Sequence, residues 1–143
     1  MALTAESYLW EHWKFNADQR LKAFNLYVVF SIFANGMVFT ALDKRAQPLV
    51  LIFLGGFVGL LAIVFAIVDA RSRNLLRLAK QGLKDFERDL PLTCRPLLLD
   101  EINRPTWLRY TVAFNMLFVL QLLFGLLVSG YGMVMGYQGA AIW

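Results

Sequence analysis

Three runs of apolar residues, 23–42, 49–68 and 108–135, dominate this chain, and the only charge among them is Arg109 near the start of the third. Each run is long enough to cross a hydrocarbon core about 30 Å thick. The surrounding composition agrees: 59% apolar residues, 15% aromatic and a mean hydropathy of +0.55 are too greasy for a soluble domain of 143 residues. The pattern predicts an all-α membrane protein with three transmembrane helices. The first run starts too far into the chain for a secretory signal, and no small-residue cleavage site follows it, so no cleavage is expected.

The cations set the expected orientation. Nine of the 14 Lys and Arg lie between the second run and the first turn of the third: Arg71, Arg73, Arg77, Lys80, Lys84, Arg88, Arg95, Arg104 and Arg109. By the positive-inside rule this connection is cytoplasmic. The N-terminus, with Lys14, Arg20 and Lys22, then shares that side, and the hairpin 43–48 and the uncharged C-terminal tail face the other. Lys44 and Arg45 oppose this assignment, two against nine. Cys94 is the only cysteine, so no disulfide forms within the chain.

Four segments follow from these patterns. Residues 1–22 read as a cytoplasmic interfacial helix, with Thr4 as N-cap and Glu6 in its first turn. Its Trp10, Trp13, Ala17 and Leu21, with Phe24 beyond, share an arc of about 80°, and indole rings favour the headgroup zone. Residues 23–69 read as a transmembrane hairpin, with Pro48 at a helix start where its missing N–H does no harm. Asn35, one turn from Ser31, lies near mid-membrane and requires a polar partner. Gly55 and Gly59 form a G-x-x-x-G pair that permits close backbone approach. No helix breaker follows the second run, so one helix is expected from residue 49 to about residue 89, roughly 60 Å long. Residues 70–107 comprise its basic amphipathic extension and a loop interrupted by Pro91, Pro96 and Pro105. Residues 108–143 form the third span and tail, with Trp107, Arg109 and Tyr110 anchoring its entry at the interface.

The third span carries a stripe. Thr111, Asn115, Gln121, Gly125, Ser129, Gly132, Gly136 and Gly139 share an arc of about 120°, with Phe114, Phe118 and Leu122 among them. In hydrocarbon, amides and bare backbone are useful only against another helix or along a wet cavity. The stripe is therefore either a packing seam, which Gly and Ser alone would explain, or a pore wall lined by Asn115, Phe118, Gln121, Gly125, Ser129 and Gly132.

Chemistry points to binding rather than catalysis. With one His (His12) and one Cys, the chain has no metal-ligating set of its own, no cofactor motif, and no recognisable grouping of nucleophile, base and orienting acid. The expected class is non-enzymatic. On the basic extension, Arg73, Arg77, Lys80, Lys84 and Arg88 share one narrow arc, and like charges four residues apart disfavour an isolated helix. An anionic partner relieves them: either lipid headgroups or a phosphate-bearing nucleotide or short oligonucleotide. The separate apolar arc of Leu75, Ala79, Leu83, Phe86 and Leu90 calls for cover, which self-association would supply.

The amphipathic Tyr8-Leu-Trp-Glu-His-Trp13 helix, apolar hairpin, basic juxtamembrane helix and glycine-rich last span together resemble the small membrane effectors of bacterial anti-phage systems. Among them, the layout is similar to the channel-forming component of the Hailong type. That resemblance implies a homo-oligomeric channel in the bacterial inner membrane, controlled by a DNA oligomer that a partner nucleotidyltransferase makes. The competing class is a non-conducting membrane scaffold or accessory subunit that uses the same seam only for packing.

Overall fold

The computed structural model describes residues 5–88, 91, 97 and 110–140. The expectations for Thr4, Cys94, Trp107, Arg109 and most of the loop 90–107 lie outside the described residues, as do the side chain of Tyr110 and the burial of Gly139. Among the described residues the protein is all-helical, with α1 at Ala5–Asp43, α2 at Pro48–Glu87 and α3 at Tyr110–Ala140. Each helix is long and apolar enough to cross a membrane. The protein is a multi-pass membrane protein.

The N-terminal aromatic segment and the first apolar run are one helix without a break. At 1.5 Å per residue, the 39 residues of α1 and the 40 of α2 correspond to helical contour lengths of about 58 and 60 Å. Both exceed the thickness of a hydrocarbon core.

The turn between α1 and α2 explains why the two helices separate where they do. Ala46 donates its N–H to the Ala41 carbonyl at 2.9 Å and Arg45 donates to Leu42 at 3.2 Å, a Schellman closure of α1. Its left-handed position belongs to Arg45, at φ 49°, where glycine is the usual residue. A side chain there costs about 1 kcal/mol or more. Gln47 then caps α2, its carbonyl accepting from Val50 at 2.9 Å, and Pro48 fills the first helical position.

Contacts group the chain into two units. In the first, Met1–Ala23 with Val68–Ala113, the early part of α1 packs on the later part of α2. A Cβ added to Gly82 would lie 2.8 Å from the Leu9 side chain, so the missing side chain makes room for that leucine. Ala79 and Leu83 are buried here. Asn16 is buried as well and donates to the His12 carbonyl at 2.7 Å.

The second unit, Phe24–Ile67 with Phe114–Trp143, is a three-helix arrangement with two cores. Ala34, Val38, Ala41, Leu51, Val58 and Val128 form one. The other contains Tyr27, Leu61, Phe114 and Phe118. Outward residues on the same helices are large and apolar, with Phe53 71% and Leu127 72% exposed. Such surfaces are stable only against lipid or further protein.

Candidate functional site

The third-span stripe in α3 meets α1 and α2 of the same chain. At one end, the Phe24 and Phe114 rings stack with centroids 3.6 Å apart, and Phe118 meets Tyr27 edge-on at 4.7 Å. The Tyr27 hydroxyl donates to the Leu117 carbonyl at 3.4 Å. One turn further on, Gln121 Nε2 donates to Asn35 Oδ1 at 2.8 Å, and Asn35 Nδ2 donates to Gln121 Oε1 at 3.3 Å. The polar partner that Asn35 required is thus Gln121.

Beyond the amides, backbones touch. A Cβ on Gly125 would lie 2.6 Å from the Gly55 carbonyl oxygen and 2.7 Å from the Gly59 nitrogen. The G-x-x-x-G pair of α2 therefore admits α3 at Gly125, which offers no side chain. Ser129 Oγ donates to the Ile52 carbonyl at 3.1 Å. At the far end, a Cβ on Gly132 would stand 2.9 Å from the Pro48 carbonyl.

Helical geometry explains which stripe residues enter this seam. The buried positions of α3 are Phe114, Phe118, Gly125, Val128 and Gly132. Asn115 sits about 100° from the centre of that group and is exposed. Gln121 and Ser129 are half-buried and spend one polar group each on a neighbouring helix. Of the six residues considered for a pore wall, only Asn115 is turned outward from the single chain.

The basic arc of α2 is more divided than its spacing implies. Arg77 and Arg88 are exposed, whereas Arg73, Lys80 and Lys84 are half-buried. Arg73 Nε lies 3.1 Å from Asp69 Oδ2, and the exposed Arg88 reaches Asp85 at 3.6 Å. Arg77 forms no ion pair among the described residues. On the apolar arc, Ala79 and Leu83 are covered while Phe86 stays exposed.

Sequence reasoning missed the cluster around Asp69. This carboxylate is 6% exposed and accepts a hydrogen bond from Arg20 Nε at 2.6 Å, with Arg73 completing a three-residue ion group. A carboxylate so buried requires cationic partners to remain charged. The Asp69–Arg73 contact spans one turn and was legible as an acid four residues before a base. The Arg20 contact joins residues 49 apart and left no local signal.

Among curated proteins, the chain is similar to CD-NTase-associated protein 19 of Escherichia coli. The two are 27% identical over 84 residues, which cover 58% of this chain and 56% of the relative. The chain therefore spans only about half the length of the curated relative it matches. By its name, that relative is associated with a CD-NTase. No protein-family model matches the chain, and no solved structure does.

Proposed function

We propose that this protein is a membrane effector of bacterial anti-phage defence, and that copies of it assemble in the inner membrane into an ion-conducting pore. Two things support the defence assignment: three helices fit to cross a membrane, and the similarity to a CD-NTase-associated protein, which suggests a link to CBASS defence and to a nucleotide-producing enzyme. The chain itself is then a non-enzymatic responder, close in role to the Hailong-type channel components whose layout it resembles.

The observation that carries the regulatory part is the unbroken α2. One helix bears both Gly55 and Gly59, which receive α3, and Arg77, Lys80 and Lys84, which suit a phosphate-bearing ligand. A nucleotide or short DNA oligomer held on the basic arc, at the cytoplasmic side, would bias the same rod that supports the seam. Phe118, Gly125 and Gly132 face helices of their own chain, so a pore lined by them requires that seam to part. Asn115 is available to a neighbouring copy without rearrangement.

That internal seam also favours a second reading, a non-conducting scaffold in which the stripe serves packing alone. Planar-bilayer recording on the purified full chain separates the two. Current that rises on addition of mononucleotides or short oligodeoxynucleotides supports the channel. A well-defined oligomer that passes no current with or without them leaves the scaffold.

A further inference from the structure

We infer that the α1 surface beneath the α1–α2 turn is a binding site for an anionic phospholipid, one acyl chain lying in an apolar groove and the headgroup phosphate meeting Lys44 and Arg45. The groove is an open surface depression of about 510 Å³, lined by Ile32, Phe33, Gly36, Met37, Ala41 and Lys44 among others. Its floor lies at Gly36, where an added Cβ would meet nothing within 4 Å. Thr40, also on the wall, spends its hydroxyl on the Gly36 carbonyl at 2.8 Å, so the groove presents almost no polar chemistry along its length.

Its dimensions match one leaflet. From Ile32 to Lys44 the helix advances 12 residues, about 18 Å, a little more than half of a hydrocarbon core of about 30 Å. An acyl chain entering at Lys44 would run from the membrane surface to near the midplane. Nothing polar meets it on the way.

Charge selects the occupant. Lys44 lines the groove and Arg45 follows it in the chain; both are exposed, and neither side chain forms an ion pair among the described residues. These are the two cations that the positive-inside rule leaves on the wrong side, and Arg45 holds its place at a backbone angle that favours glycine. A second copy of the chain answers this chemistry poorly. Its own turn brings Asp43, Lys44 and Arg45, a net +1, and its tail from Tyr137 onward carries no charged side chain. A lipid phosphate supplies the missing anion, and its chain fills the groove.

Native mass spectrometry of the detergent-purified full chain, offered phosphatidylglycerol or phosphatidylcholine of equal chain length, tests the site. The wild type is expected to retain phosphatidylglycerol in preference, by about fivefold for each cation engaged. Lys44→Gln/Arg45→Gln should erase the preference, and Gly36→Leu, which fills open space, should reduce retention of both lipids while the melting temperature holds. Equal retention of the two lipids by the wild type overturns the site, as does a preference that survives in the double variant. A Gly36→Cys chain in a Cys94→Ser background that cross-links to its twin in phosphatidylglycerol vesicles also overturns it, because a second copy then occupies the groove.

Discussion

Asn35 and Gln121 exchange hydrogen bonds through their side-chain amides, at 2.8 Å and 3.3 Å, and so join the first and third helices inside an apolar bundle. Neither amide is stable alone in hydrocarbon. Replacing Gln121 by Leu should therefore lower stability by about 1 kcal/mol, the usual scale for such bonds between membrane helices. Asn35→Leu should cost a similar amount. The double variant should be more stable than the sum of the two predicts, because no orphan amide remains. Unfolding in mixed micelles across this double-mutant cycle measures the coupling, and purely additive effects would show that the two amides do not act as a pair.

The glycine contacts predict a contrast between positions that look equivalent in sequence. Gly125→Ala drives a Cβ toward backbone atoms of Gly55 and Gly59, which have no side chain to swing aside. Helix separation should then cost roughly 1–3 kcal/mol, as overpacking does elsewhere. Gly130→Ala and Gly56→Ala meet open space and should be neutral or slightly stabilising. Thermal melts of the three variants decide the matter. Equal losses at Gly125 and Gly130 would mean that α3 is rotated relative to the seam described.

Much of this arrangement is legible in the sequence, and the remainder is not, for identifiable reasons. Long apolar runs without Pro or charge fixed the three spans, and the lack of a breaker after residue 68 implied the long α2. The stripe around Gly125 marked a face, but helical periodicity names no partner, so it left open whether that face meets the same chain or another. Asn115 shows the limit of an arc of about 120°: it belongs to the stripe by angle and lies outside the contact by position. Arg45 was unreadable as a left-handed residue because only glycine or asparagine advertises that conformation. The Arg20–Asp69 pair depends on how two distant parts of the chain meet, which no local pattern encodes.

That pair sets a third expectation. Asp69→Asn removes the charge that pairs with the mostly buried guanidinium groups of Arg20 and Arg73. The loss should be about 1.5–3 kcal/mol, the range for hydrogen bonds to charged groups. Asp85→Asn, at an exposed pair with Arg88, should change stability by no measurable amount. Chemical denaturation followed by circular dichroism compares them. If the two substitutions proved equally mild, the Asp69 group would be contributing no more than a surface contact.

The basic arc supplies the last expectation, and salt distinguishes its two possible anions. Changing Arg77, Lys80 and Lys84 together to Gln should weaken binding of a short oligodeoxynucleotide by at least tenfold and flatten the dependence of affinity on salt, since fewer phosphates are neutralised and fewer counterions released on binding. Fluorescence anisotropy in detergent, repeated across salt concentrations, reads both quantities. Arg73 is a poor addition to this set because it is engaged with Asp69, and its loss would mix stability with binding. Arg77→Gln alone should leave stability nearly unchanged, because Arg77 is exposed and forms no ion pair among the described residues. Wild-type affinity and an unaltered salt slope in the triple variant would assign these cations to lipid headgroups, and a ligand-controlled pore would then need its sensor elsewhere.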